Sequence, residues 1–193
     1  MKAIILQGTL KKGVQSNTQV LSEFFVECLE KKKVTCEIIR LIDYTILPGT
    51  YSDMGAGDAW PMILKKILDA DIVVFATPIW WGNHSSEIQR VIERLDELHD
   101  EILQGKTSQL QGKVAGIIIT GGSDGAEQVI GDISNFFNFV GLIYPPYASL
   151  SILWKGHEKG KKTSRKELMK KYRKDHKKEA QTMADQLVAF AKK

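Results

Sequence analysis

Five short apolar runs alternate with longer stretches in which apolar residues recur every three or four positions. That alternation is the pattern of βαβ units feeding a parallel sheet. Residues 2–7 (KAIILQ) predict a first strand. Ser16 to about Lys33 predicts a helix, with Val20, Phe24, Phe25, Cys28 and Leu29 at helical spacing. Residues 35–41 (TCEIIRL) give a second strand. A loop rich in glycine and proline, about 43–57, leads to a short helix from Pro61 to Leu68, proline being suited to a first helical turn. Residues 71–77 (DIVVFAT) form a near-continuous apolar run, as expected of a central strand covered on both faces, and 113–120 (KVAGIIIT) is its partner. Between them one long helix is predicted from about Ser85 to Leu103, on the stripe Ile88, Val91, Ile92, Leu95 and Leu98. A further helix spans about Ala126 to Val140. A fifth strand over about 142–152 is interrupted by Pro145-Pro146, which puts it at or near an edge. A closing helix from about Ser164 to Ala191 carries Leu168, Tyr172, Met183, Leu187 and Phe190.

Right-handed crossovers make a five-stranded, doubly wound α/β sheet in the order 2-1-3-4-5 the simplest assembly of these elements. With 193 residues, 43% of them hydrophobic, the chain can build one sizeable core, whereas two would each be small. A single domain over 1–193 is expected, its 155–193 portion being a basic segment and closing helix. No apolar run reaches the roughly 20 residues that span a bilayer, and the first six residues are too short for a signal-peptide core. Cys28 and Cys36 show neither CxxC nor metal-ligand spacing, so they read as reduced thiols of a soluble, cytoplasmic protein.

Charge adds one qualification. The net charge is +4, but the stretch from Lys155 to Lys178 alone carries +9, leaving −5 elsewhere. A duplex-binding domain needs basic side chains spread over a docking face. The run therefore reads as a solvated helix face, and no nucleic-acid partner is expected.

In a doubly wound sheet, ligands sit beyond the carboxyl ends of the strands near the switch point. After the first strand comes Gly8-Thr9-Leu10-Lys11-Lys12-Gly13-Val14-Gln15-Ser16-Asn17-Thr18, a glycine- and hydroxyl-rich turn entering a helix. Unpaired N–H groups at that helix start suit a phosphate, with side-chain donors from Ser16, Asn17 and Thr18, although Ser and Asn are also ordinary helix caps. A P-loop is excluded by Val14-Gln15 where Lys and Ser/Thr belong, and the dinucleotide GxGxxG spacing fails. Thr77-Pro78 at the end of the third strand likewise excludes a receiver-domain aspartate. That strand runs into Pro78-Ile79-Trp80-Trp81-Gly82-Asn83-His84, where two tryptophans beside a glycine suggest a flat aromatic ligand approached closely by backbone N–H groups. Trp81 serves equally as a dimer contact, and His84 as a polar helix start rather than a proton donor. The fourth strand leads into Thr120-Gly121-Gly122-Ser123-Asp124-Gly125-Ala126, another glycine-rich helix entrance that would wrap the other edge of the same ligand. Asp124 is expected to cap that helix, with acceptance from a ring N–H as the alternative.

With these motifs the sequence resembles the NADPH-dependent FMN reductase family of flavodoxin-like oxidoreductases, over most of the chain to about residue 150. Gly8-Thr9 through Ser16-Asn17-Thr18 resembles that family's phosphate loop, Thr77 through Asn83 its ring loop, and Thr120 through Ala126 its third loop. The resemblance implies a flavodoxin-like three-layer sandwich with FMN held non-covalently. Thr9, Lys11, Ser16, Asn17 and Thr18 would hold the phosphate and ribityl chain, while Pro78 to Asn83 and Gly121 to Ala126 would hold the isoalloxazine. It further implies NAD(P)H as hydride donor, a small-molecule acceptor such as a quinone, a nitro or azo compound or a flavin, and a homodimer or homotetramer. Departures are Thr9 for serine, Leu10-Lys11 for Pro-Arg, and no cysteines between Asp43 and Trp60, so neither an iron–sulfur cluster nor another metal is expected. No side chain is singled out as a catalytic acid or base. The rival readings are a flavodoxin-type carrier that binds FMN without turning over NAD(P)H, against which the positive net charge weighs, and a flavin-fold regulatory module.

Overall fold

A computed structural model of the chain describes residues 1–158 and 160–192. Five parallel strands, β1 (Lys2–Gln7), β2 (Thr35–Arg40), β3 (Ile72–Pro78), β4 (Val114–Gly121) and β5 (Ser149–Leu153), form one sheet in the order β2-β1-β3-β4-β5. β1, β3 and β4 are buried almost throughout, because helices cover both of their faces. Of the edge strands, β5 alternates buried with accessible residues, as a half-covered strand should, while β2 is largely accessible with Ile39 buried. Among the described residues no helix is long and apolar enough to cross a membrane.

Helices α1 (Asn17–Glu30), α6 (Arg165–Asp175) and α7 (Lys177–Ala191) lie on one face; α2 (Trp60–Leu68), α3 (Ser86–Arg94), α4 (Asp96–Leu103) and α5 (Ala126–Phe139) lie on the other. One core gathers Ile4, Leu6, Val73 and Phe75 with Trp60, Ile88, Ile133 and Phe137. The second gathers Ile5, Val74 and Ile118 with Phe24, Phe25, Tyr172, Met183 and Leu187.

Three elements differ from expectation. The helix predicted over 85–103 breaks at Leu95, whose N–H is shared between the carbonyls of Val91 and Ile92 while Leu98 N bonds Leu95 O, tightening the turn from four residues to three. The closing helix breaks at His176, whose own carbonyl then starts α7 through Ala180 N. The fifth strand occupies only Ser149–Leu153. Upstream, Ile143 makes a single parallel bridge to Val114 before Pro145 and Pro146, which have no N–H to donate, end the pairing. It is an edge strand, as the prolines indicated.

The basic face of α6 is partly neutralised within the chain. Arg165 pairs with Glu23 at 2.9 Å and Arg173 with Glu27 at 2.6 Å, both acids lying on α1, while Lys32 pairs with Asp185 across to α7. These surface pairs contribute little stability each, but they fix the side on which the lysine-rich helix docks.

The loop between β2 and α2 is fastened by a buried ion pair. Arg94 NH2 lies 2.7 Å from Asp58 Oδ2, and neither side chain reaches solvent. Arg94 also donates to the carbonyls of Tyr51 and Leu47, and its guanidinium lies 5.6 Å from the Trp60 ring centre. Burial alone would raise the Asp58 carboxyl; the Arg94 guanidinium and the N–H groups of Trp60, Met54 and Leu47 outweigh it and hold it at about 2, below its ordinary 3.8. Asp58→Asn leaves the buried guanidinium unpaired and is expected to lower the unfolding free energy by roughly 3–5 kcal/mol in urea titrations. The unfolded carboxyl takes up its proton near 3.8 and the folded one only near 2, so the wild type's Asp58-linked stability is complete above about pH 4 and falls toward pH 2. The variant's acid limb should be correspondingly flatter.

Candidate functional site

Because all five strands are parallel, their carboxyl ends and the turns that follow share one edge of the sheet. There the turns after β1, β3 and β4 enclose a cleft of about 280 Å³. Its floor and walls include Thr9, Leu10, Lys11, Ser16, Asn17 and Thr18 from the first turn, Pro78, Ile79 and Trp80 from the second, and Thr120, Gly121 and Gly122 from the third.

The first turn is a donor surface. Ser16 caps α1: its Oγ accepts from Gln19 N at 3.0 Å and from Gln7 Nε2 at 3.2 Å. Both bonds use oxygen lone pairs, so its own hydrogen stays free to donate. Thr9 Oγ1 accepts from Lys11 N at 3.2 Å and keeps its hydrogen in the same way. Thr18 and Thr120 share one bond between hydroxyls at 2.7 Å, which joins the starts of α1 and of the third turn and leaves one of the two hydrogens over. Helix geometry gives the N–H groups of Asn17 and Thr18 no intrahelical acceptor, and the positive end of the α1 dipole adds to them. Arg40 holds this turn in place through a 2.6 Å bond to Lys11 O.

The second turn is a tight hairpin. Trp80 N bonds Asn83 O at 2.8 Å and Asn83 N bonds Trp80 O at 2.9 Å, with Trp81 (φ 52°) and Gly82 (φ 77°) at the corner. Such a corner requires positive φ twice, which suits Gly82 but strains Trp81 by about 1 kcal/mol or more. The Trp81 indole is also 97% exposed, and Trp80 is 39% exposed on the cleft side. Thr77 Oγ1 fastens the turn's far end by accepting from Ser85 N at 2.9 Å.

The third turn is shaped by the absence of side chains. A Cβ on Gly121 would come within 2.8 Å of Ile79 Cδ1, and one on Gly122 within 2.9 Å of Glu158 Cγ. Gly125, at φ 88°, is itself the cap of α5, so Asp124 does not cap that helix; its carboxylate accepts from Ser123 at 3.0 Å in the exposed part of the turn. A Cβ on Gly125 would lie 3.1 Å from Gly82 Cα, which shows how closely the second and third turns approach each other.

Of the residues singled out by sequence, Thr9, Lys11, Ser16, Asn17, Thr18, Pro78, Ile79, Trp80, Thr120, Gly121 and Gly122 are brought together in the cleft. Trp81, Gly82, Asn83, Asp124 and Gly125 do not line it, Asn83 facing a separate depression beside His84 and Gln89, and Ala126 is turned into the core. His84 reaches Gln89 at 2.8 Å on α3, away from the cleft. Sequence reasoning missed Leu10 and, from the chain after β5, His157, Glu158 and Gly160. The rule that ligands sit beyond strand ends applies equally to β5 and would have pointed there.

The sequence model of the NADPH-dependent FMN reductases matches residues 1–153. The chain belongs to that family. It is 38% identical to 8-demethyl-8-aminoriboflavin-5′-phosphate synthase of Streptomyces davaonensis over 161 residues, which cover 77% of this chain. They cover 62% of the synthase, so the chain spans less than two thirds of that relative's length. Among solved structures, RosB with bound 8-demethyl-8-formylriboflavin-5′-phosphate aligns with a TM-score of 0.80 at 29% identity, over 100% of this chain and 79% of that one. A flavodoxin from the domain Archaea aligns over 100% of both chains with a TM-score of 0.58 at 16% identity, a likeness of fold. The fold is flavodoxin-like.

The residues present fit FMN, the cofactor of this reductase family. Hydroxyl hydrogens and helix N–H groups converge where a phosphate would lie, and glycines leave backbone bare where a planar ring would rest. Gly125→Val combines positive φ with a crowded Cβ. It is expected to cost about 1–3 kcal/mol of stability and to push the Gly82 turn outward, measurable as a lower Tm and weaker flavin binding.

Proposed function

We propose that the chain holds FMN in this cleft and uses it to pass a hydride from NAD(P)H to a small-molecule acceptor, such as a quinone, a nitro or azo compound, or a flavin. The observation that carries the reading is the meeting of the hydroxyl-lined start of α1 with the glycine cradle of the third turn in one cleft. Family membership supports it, as does the relative named for its action on a flavin 5′-phosphate.

In this reading Thr9, Lys11, Ser16, Asn17 and Thr18 bind the phosphate and ribityl chain. Pro78, Ile79, Trp80, Gly121 and Gly122 seat the ring, with Thr120 tying the two ends through Thr18. Trp81, Gly82, Asn83, Asp124 and Gly125 shape the second and third turns, and Ala126 anchors the start of α5 in the core. FMN, when bound, supplies the redox chemistry at its ring. The protein binds and orients it, excludes water from the buried side, and offers backbone N–H groups to developing negative charge. His157 is held neutral: burial lowers its imidazole to about 4, overriding bonds to the Ile152 and Gly121 carbonyls that would raise it. No proton transfer by a side chain is required for hydride delivery.

The strained and exposed Trp81 supports a homodimer or homotetramer in which a second copy covers the second turn. A cytoplasmic setting and reduced Cys28 and Cys36 accord with the reading, the two cysteines being unpaired.

Purified protein is expected to be yellow, or to turn yellow on adding FMN, with FMN identified by mass after heat release. Anaerobic mixing with NADPH should bleach the colour on a catalytic timescale. Persistence of the colour would leave a flavodoxin-type carrier, and a colourless protein after FMN addition would refute the reading altogether. Ser16→Ala, which removes a hydroxyl donor and a cap, should raise the FMN dissociation constant about tenfold.

A further inference from the structure

The family's sequence model ends at residue 153, the last residue of β5, yet the chain does not leave the cleft there. It makes a 3-10 turn, Lys155–His157, and Glu158 and Gly160 line the cleft. Trp154 N bonds Gly121 O at 2.9 Å, and Glu158 lies against Gly122, so the turn begins on the ring-side loop. It ends on the phosphate-side loop: Asn17 Nδ2 donates to His157 O at 3.2 Å and Gln15 Nε2 to Thr163 O at 3.3 Å. The backbone from Trp154 to His157 thus bridges the two halves of the cleft.

His157 fixes that stretch to α6. Its Nδ1 faces Ile152 O at 3.2 Å, and a carbonyl can only accept, so Nδ1 carries the hydrogen. Nε2 is then the acceptor for the Tyr172 hydroxyl at 2.8 Å. Tyr172 is fully buried, and burial raises its phenol, so it stays a hydroxyl and a donor. The imidazole also meets the Trp154 and Tyr172 rings edge-on. With both nitrogens engaged and the ring clamped, His157 is built to hold the chain.

We infer that the turn from Trp154 to Glu158, with Gly160, is a wall of the flavin site lying beyond the residues the family model matches, and that His157 is the positioning residue that latches it to Tyr172 on α6. The inference rests on the FMN reading. A bound flavin phosphate would be enclosed on this side by backbone that α6 holds still. Loosening the latch should free that wall and let the ligand leave faster, and Tyr172→Phe does so from a residue outside the cleft lining.

The test titrates FMN into the wild type, His157→Ala, His157→Gln, Tyr172→Phe and Glu158→Ala by flavin fluorescence. It also compares tryptic cleavage after Lys155, Lys161 and Lys162 with and without FMN. We expect the dissociation constant to rise about tenfold in His157→Ala and in Tyr172→Phe. His157→Gln should recover part of the loss, because its amide can still donate to Ile152 and accept from Tyr172. FMN should protect the three lysines in the wild type and protect them less in the latch variants. Tyr172→Phe keeps the test decisive if His157→Ala fails to fold, and Glu158→Ala, which alters the wall itself, should weaken FMN binding with the latch intact. Wild-type affinity and protection in Tyr172→Phe would overturn the latch, and wild-type affinity in Glu158→Ala would overturn the wall. If the wild type binds FMN and Ser16→Ala weakens it while the latch variants do not, only this inference falls; if the wild type binds no FMN, the proposed function falls first.

Discussion

The central strands β1, β3 and β4 are apolar on both faces, and the rest of the molecule follows from that constraint. A strand buried on both sides cannot carry polar chemistry along its length, so polar groups are expelled to its ends. At the carboxyl ends the chain must turn at once into a covering helix, and each turn brings unpaired N–H groups to the same edge. Gln7 shows the transition within one residue. It is the last residue of β1, wholly buried, and its amide already points its donor at Ser16 Oγ. Thr77 and Thr120 play the same part at the ends of β3 and β4, bonding Ser85 N and Thr18. These hydroxyls tie the turns to one another, so the cleft is a property of the sheet edge rather than of any one loop.

The same layering accounts for the uneven charge. α6 and α7 must cover one face of the sheet, and Leu168, Tyr172, Met183 and Leu187 do so. What remains on their outer surface is lysine-rich, and it is set beside the acidic flank of α1, where Glu23 and Glu27 receive Arg165 and Arg173. Exposed pairs of this kind are weak individually. The buried side of α6, through Leu168, Met169 and Tyr172, seats the helix so that Tyr172 meets His157. The chain beyond β5 is thereby brought back over the strand ends instead of trailing away from them.

Most of the fold was legible because periodicity reports burial. The unbroken apolar runs of β1, β3 and β4 and the helical stripes of α1, α3 and α5 can be read without coordinates, and Pro145-Pro146 marked the edge strand correctly. What escaped were features set by partners distant in sequence. The break at Leu95 accompanies Arg94 being drawn to Leu47, Tyr51 and Asp58, and no local pattern announces those carbonyls. The capping role expected of Asp124 failed because Gly125 takes the left-handed conformation and starts the helix itself. At the cleft, residues in glycine- and hydroxyl-rich turns were recognisable by composition. His157 and Glu158 were not, since they sit in a lysine-rich stretch whose composition reads as solvated surface.

The two sides of the cleft therefore differ in kind. On the side of α6 the wall is fixed: His157 is bonded through both nitrogens and Trp154 is bonded to Gly121. On the side of the second turn, Trp81 projects almost entirely into solvent from a strained corner, and Trp80 is partly exposed. An indole in water from a left-handed backbone is unfavourable on two counts, apolar exposure and steric strain. The exposure is relieved, and the strain offset, if a flat apolar surface comes to rest on that turn, whether a nicotinamide, an acceptor ring or the same face of a second copy. A hydride donor needs an approach to the flavin face that the fixed wall does not occupy. Under the proposed function, the α6 side would retain the cofactor and the tryptophan side would admit the co-substrates, the division of labour that a two-step redox cycle demands.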